Sequence, residues 1–351
     1  MALLFMDGFD HYTSYLYLSG KWFSASTGGN SSQIQTTART GPRSAATYYA
    51  GVADDLRTPP LPVSGNGFVV GMAVNPTIAA TGPNEFIRIR EGVSIQHMSC
   101  VFTTGNVLQV KTGATVLATG VVPLPVNAWS YVEFKGVIDS VNGSYEVRVD
   151  GLTVPLLTNA GPVATRNGGT GQWDRVGVLS VVEQWNGYFD DVYVCDHSGA
   201  APKNTFLGPV KIETIYPQTD AIGGVGANVG LSPSTGTDRG ALVDETPANT
   251  TDYNSGATVG LKDTYNFPTP TISGTILGIQ TNLYVAKSDA AARQVCPVVR
   301  VDGADVDGAN VAPTTTFMIY PQLWPQKPGG TPTEWTLADL TAIQAGMKVT
   351  A

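Results

Sequence analysis

Two aspartates stand side by side in "YFDDVYVCD", residues 188 to 196. Paired carboxylates roughly 5 to 10 Å apart on one face are what a glycosidase uses to protonate a leaving group and attack a sugar. The run around Asp190 and Asp191 is strand-like, and strand side chains project to alternate faces with a period of two. On that reading the two carboxylates point apart and cannot share a substrate. Tyr188, Val192 and Val194 take one face, and Phe189, Tyr193 and Cys195 the other. Both faces are apolar, which predicts a strand covered on both sides, with Tyr188 and Tyr193 as candidate residues of an interface with the second domain or a neighbouring subunit.

Three further aspartates, Asp302, Asp305 and Asp307, lie among glycines in "VDGADVDGAN". Such oxygen-rich loops can hold calcium, but the spacing matches no complete EF-hand and has no closing Glu, so they are weak calcium candidates beside the expected solvated hairpin loop. His11, His97 and His197 are isolated from one another, which argues against a histidine-based metal or hydrolase site. Neither a nucleophile elbow nor a P-loop is present. The glycines of "GGVGANVG", 223 to 230, follow no clear strand and open no helix, so they read as a loop. Cys100, Cys195 and Cys296 are odd in number and lack CxxC spacing, which fits a reducing compartment and predicts neither disulfide framework nor zinc knuckle. No cofactor is expected.

Six tryptophans invite a sugar-stacking role, yet large aromatics usually fill cores. Trp324 and Trp335 are the exception, because they flank the proline-rich "PQLWPQKPGGTPTEW", and they are the candidate surface-recognition residues.

The elements that must position these residues are strands. Of 351 residues, 40 are Gly and 23 Pro while only 14% are charged, a composition of short strands joined by many turns. Alternation puts Ile87 and Ile89 opposite Arg88 and Arg90, and Leu108 and Val110 opposite Gln109 and Lys111. Val132, Phe134 and Ile138 oppose Tyr131, Glu133 and Lys135, and an Asn142-Gly143 turn leads into a strand with Tyr145, Val147 and Val149 inward. Leu277, Ile279, Leu283 and Val285 make the clearest buried face of the second half. One helix is expected at about 337–345, capped by Thr336 with Asp339, with Leu337, Leu340 and Ile343 on one face and Gly346 ending it in a left-handed conformation. The fold class is all-β: two antiparallel β-sandwich, jelly-roll-like domains, 1–200 and 201–351, divided at "DHSGAAPKNTFLGP".

A net charge of −8 without a Lys/Arg cluster excludes an electrostatic footprint for nucleic acid. No apolar run is long enough to span a membrane, and "MALLFMDGFDHY" lacks the basic start and continuous apolar stretch of a secretion signal.

Taken in order, "LLFMDGFDHY" with Lys21 and Trp22, "NAWSYVEFKGVI", "GSYEVRVDG" and "GYFDDVYVCDHSG" running into "NTFLGPVKIETIYP" resemble the concanavalin A-like, laminin-G-like jelly-roll domains of tailed-bacteriophage virion proteins. The continuation, with "TTDYNSG", "KSDAAARQV" and "EWTLADLTAIQAGMKV", is similar to the second half that accompanies that domain. The resemblance implies a non-enzymatic structural component of the virion exterior, in tail or tail fibre, assembled in the bacterial cytoplasm. It also implies homo-oligomerisation, a trimer being favoured, and contact with other virion proteins. A capsid decoration or head-fibre protein is the alternative position. A carbohydrate-binding module recognising a host surface glycan is the alternative of a different class. The chain lacks the E-x-D-x-E strand of the glucanase branch of this fold, so the resemblance carries over no catalytic residue.

Overall fold

The computed structural model describes residues 3–12, 14–23, 32–47, 56–180, 185–220, 230–245 and 248–351; most of the "GGVGANVG" stretch lies outside them. The chain divides into two units, Met1–Glu213 and Thr214–Ala351. It is almost entirely β, with antiparallel sheets throughout, as the alternation requires.

In the first unit, the larger sheet has eight strands. In spatial order it runs β12 (Leu152–Val163), β11 (Gly143–Val149), β10 (Ser130–Val137), β5 (Gly67–Pro76), β14 (Gly187–Asp196), β3 (Ser44–Thr47) and β2 (Ser32–Gln35), with β1 (Leu3–Asp7) also paired to β14. The smaller sheet runs β4 (Leu56–Arg57), β13 (Arg175–Ser180), β6 (Asn84–Glu91), β7 (Ile95–Phe102), β8 (Val107–Thr112) and β9 (Thr115–Pro123). The inner faces meet in an aromatic core. Phe86 stacks on Phe102 at 4.2 Å between centroids, Phe102 on Trp185 at 5.0 Å, and Trp185 contacts Phe189 of β14 at 5.2 Å. Phe68 packs edge-on to Phe134, and Trp173 closes that end, donating its indole N–H to the Gly67 carbonyl. Burying each such ring contributes roughly 1.5–3 kcal/mol.

The outer face of the eight-stranded sheet is covered by the chain itself. Residues 203–213 form a strap across it. Leu207 N–H donates to the Tyr193 hydroxyl and Gly208 N–H to Glu133, Phe206 lies under the Arg148 guanidinium at 4.1 Å, and Ile212 N–H donates to Asp191. Two glycines make the close approaches possible. A Cβ at Gly71 would stand 2.1 Å from the Tyr193 ring, and one at Gly8 2.3 Å from the Ile212 carbonyl oxygen. These bonds tie 203–213 to the sandwich, so the division falls at 213/214 rather than at 200/201.

The second unit is built on a five-stranded sheet. It contains Lys262–Asn266, Gln344–Val349, Val295–Val301 and Ala304–Asp307, and its core joins Val299, Val301, Trp324, Trp335, Leu340, Ile343 and Ala345. The ribbon of Ile279–Val285 and Met318–Trp324 supplies Ile279 and Trp324 to that core, but the strand Ile279–Val285 is only half-buried throughout, not the strongly buried face its alternation predicts. The helix is Leu337–Ala342 and carries the expected reciprocal cap between Thr336 and Asp339. Leu337 is exposed while Leu340 and Ile343 are buried. Gly346 does not end the helix; it sits in the last strand opposite Thr264, where a Cβ would stand 1.9 Å from the Asp263 carbonyl oxygen.

Candidate functional site

The Asp190-Asp191 pair is a latch. Between Asp190 and Tyr193 the pairing of β14 with β5 shifts by one residue, and Asp191 adopts the left-handed conformation (φ 52°) that Asp tolerates. This bulge breaks the alternation, so the expectation that the carboxylates point apart is wrong: both turn to the same two residues. Asp190 Oδ2 accepts the backbone N–H groups of Arg39 (2.8 Å) and Thr40 (3.0 Å), while Asp191 Oδ2 accepts the Arg39 guanidinium and the Thr40 hydroxyl (2.9 Å). The bulge also re-sorts the faces. Phe189 opposes Val74 and Val194 opposes Val70 on the inner side, whereas Tyr193 opposes Gly71 on the outer side. Burial, followed by the charge of its neighbour, pushes the Asp190 carboxyl up to about 8; burial raises Asp191 as well, against the pull of the Ile212 N–H and Arg39. Every oxygen of the pair is taken by protein donors, so the pair holds the strap and the 39–40 turn.

The other residues singled out in the sequence fall in separate places. Tyr193 is buried beneath the strap, stacked on Tyr131 and donating to Glu133, so its outer face is covered by its own chain rather than by a partner. Tyr188 is half-buried beside Trp129. Trp324 and Trp335 are core residues, 6% and 3% exposed, and the Trp335 indole donates to the Trp324 carbonyl, which removes them as a surface-recognition pair. Asp305 is paired with Lys262 and Arg300, Asp302 with Lys327, and Asp307 with Lys348. Among the described residues no group of three or more His, Cys, Asp or Glu side chains gathers as metal ligands. His97 is wholly buried. Asn167 N–H donates to its Nδ1, which leaves the proton on Nε2 to donate to Glu91 at 3.1 Å, and burial holds the ring below the usual histidine range.

A different surface concentrates chemistry. On the outer face of the six-stranded sheet, direct cross-strand partners place Arg57, Gly177, Arg88, Ser99 and Lys111 in one row across five strands. Residues two strands apart are about 10 Å apart; Arg57 and Lys111 are half-buried, while Gly177, Arg88 and Ser99 between them are buried. The adjoining row is Arg175, Arg90 and Gln96. Glu85 binds the array together, accepting from Gln96 Nε2 (2.9 Å) and from the Ser99 hydroxyl (3.0 Å) with Lys111 Nζ 3.9 Å away. At the margin, Phe23 is 54% exposed and its ring lies 4.2 Å from the Arg175 guanidinium carbon. The alternation of "FIRIREG" and "VLQVKTG" already turned Arg88, Arg90 and Lys111 outward. What it did not contain was the pairing that brings in Arg57 from a two-residue strand and sets Arg175 beside Arg90, far away in the sequence.

The fold is that of a jelly-roll-like β-sandwich protein. No family model matches the chain, and no curated protein does. Among solved structures, the chain is similar to the cellulose induced protein Cip1 at 16% identity, covering 54% of this chain and 96% of that one, with a TM-score of 0.41. It is similar to a glycoside hydrolase family 131 catalytic domain from Coprinopsis cinerea at 12% identity, covering 59% and 98%, with a TM-score of 0.40. A sialidase is similar at 14% identity and a TM-score of 0.40, over 55% of this chain and 18% of that one. At these values the likeness concerns the fold alone. It corrects one expectation: catalytic domains are among the structures with this fold, so a non-enzymatic role does not follow from the resemblance. The likeness contains nothing specific to a virion.

Proposed function

We propose that the first unit is a saccharide-recognition module and that the outer face of its six-stranded sheet is the binding surface. The observation that carries this reading is the set of half-buried polar side chains Arg57, Arg90, Gln96 and Lys111, held in register around the buried Arg88, Ser99 and Gly177. Sugar hydroxyls need fixed donors and acceptors, and the Gln96 carboxamide and the Glu85 carboxylate are held in place here by their mutual hydrogen bond, with Lys111 3.9 Å from Glu85. Their positions are set by strands rather than loops, so little ordering entropy is lost when a ligand docks.

The phage resemblance supplies the setting: a module on the virion exterior, in tail or tail fibre, contacting the host surface and other virion proteins. A capsid position is the alternative. Self-association is part of this proposal, and the edge strands β9 and β12 support it. Neither contains a charged residue, and Val121, Val122, Leu152 and Leu156 are each more than 60% exposed. Edge strands without charges invite pairing, and in a chain of net charge −8 an uncharged edge is where two copies repel least.

The test is retention on immobilised glycans, with the same samples assayed for new reducing ends. Binding that falls at least tenfold, about 1.4 kcal/mol, in Lys111→Ala, whose side chain is half-buried at the end of the row, supports the reading. Absence of retention on any glycan sinks it. New reducing ends would move the face from recognition to catalysis.

A further inference from the structure

The side chains of Asp7 and Lys21 are both wholly enclosed, with Lys21 Nζ 3.2 Å from Asp7 Oδ2 and so one bond from the carboxyl carbon. The wall around them is aromatic. The Phe5 ring lies 5.1 Å from Nζ, and Trp22 meets Phe5 edge-on and stacks on Phe9. Charges enclosed in this way are costly, and passing a proton from the ammonium to the carboxylate neutralises both. Burial already draws Lys21 below the usual lysine range, towards the neutral amine that is a nucleophile. On the other side of the reaction, the Tyr12 hydroxyl and the Trp22 indole both donate to Asp7 Oδ2 at 2.8 Å. Two fixed donors on one oxygen are what stabilises the negative charge of a tetrahedral intermediate.

We infer that Lys21 and Asp7 condense into an amide bond within the folded chain, with His11 as proton carrier. Nζ attacks Cγ of Asp7, the carbon–nitrogen bond forms, and one carbon–oxygen bond breaks. The released oxygen leaves as water, taking two protons from the ammonium. One cation and one anion become a neutral amide, and nothing is oxidised or reduced. The charges of Asp7 and Lys21 both act on the His11 ring, which burial pushes down to about 4, so it is a neutral base at pH 7. Both of its nitrogens are shielded from solvent and have no hydrogen-bond partner. Holding amine and carboxyl in contact replaces a bimolecular condensation by an intramolecular one. The bond joins the end of β1 to Lys21 across the short helix Tyr15–Gly20, closing a loop that unfolding cannot reopen. This inference is independent of the saccharide reading.

The experiment is intact mass spectrometry of the denatured full chain, followed by peptide mapping. The expected mass is one water below that of the sequence, with a branched peptide containing both Asp7 and Lys21. Lys21→Met is expected to show its full sequence mass. His11→Phe is expected to slow the loss of water after synthesis by roughly a hundredfold. A chain that melts cooperatively and has lost no water overturns the inference. So does a loss that persists in Lys21→Met, which marks a cyclic imide at an Asp-Gly step such as Asp7-Gly8. Condensation at an unchanged rate in His11→Phe overturns the part given to His11.

Discussion

Thr40 touches both carboxylates of the adjacent pair: its N–H donates to Asp190 at 3.0 Å and its hydroxyl to Asp191 at 2.9 Å. Two acids buried against one small residue and one arginine make a joint that is sensitive to charge, and that joint has a pH signature.

The carboxyls of this pair are raised, so the folded state binds more protons than the unfolded one between the unfolded Asp value and the folded value, about 8 for Asp190. Stability from this source is fully present below the unfolded value and is lost as pH rises through the folded one. His11, His97 and His197 are lowered by burial and act in the opposite direction, but only below about pH 6.5, where unfolded histidine charges. Between about pH 7 and 8.5 the pair therefore acts without them, and the unfolding midpoint should fall. Asp190→Asn removes the repulsion and should flatten that fall. It should also cost about 1 kcal/mol at pH 6, because its amide nitrogen faces the Asp191 N–H that Asp190 now accepts. Thermal melts across this range check both.

Asp7 is the hub of the first turn. It accepts from Phe9 N–H, the Tyr12 hydroxyl and the Trp22 indole, and pairs with a wholly buried Lys21 at 3.2 Å. Burial acts to raise the Asp7 carboxyl, but the Lys21 charge and these donors bring it below the usual range. Asp7→Asn removes the carboxylate 3.2 Å from the buried Lys21 charge and should destabilise by about 3–5 kcal/mol. Lys21→Met, which leaves Asp7 its three donors, should cost less. Denaturant unfolding of both variants decides the order.

The strap predicts where the first unit can be cut. A chain ending at residue 213 keeps the Gly208 and Ile212 N–H bonds to Glu133 and Asp191 and should unfold cooperatively. One ending at 200 exposes Tyr193 and leaves buried carboxylates short of donors, and should lose several kcal/mol or fail to fold. Calorimetry of the two chains tests this.

If copies meet at the uncharged edge, Leu152→Lys together with Val121→Lys should shift the mass in solution towards a single chain without lowering the unfolding midpoint. Light scattering after size exclusion reads the shift. A stable contact needs on the order of 800 Å² per partner, so one lysine alone should weaken it only in part.

The β class, the helix cap and the outward set of Arg88, Arg90 and Lys111 are legible in the chain before it folds, because alternation and capping are local consequences of backbone geometry. It did not contain the fate of Asp190 and Asp191. A single-residue bulge reverses the facing of every later side chain in a strand, and the bulge exists because β14 must satisfy β5, the 39–40 turn and the strap together. Trp324 and Trp335 turned inward for a similar reason: proline-rich flanks say where a strand stops, not which side of it meets a core. The row on the six-stranded sheet was likewise decided only by tertiary structure, since Arg57, Gly177, Arg88, Ser99 and Lys111 are neighbours through sheet register alone. Register depends on long-range pairing and core fit, which no short window of sequence carries.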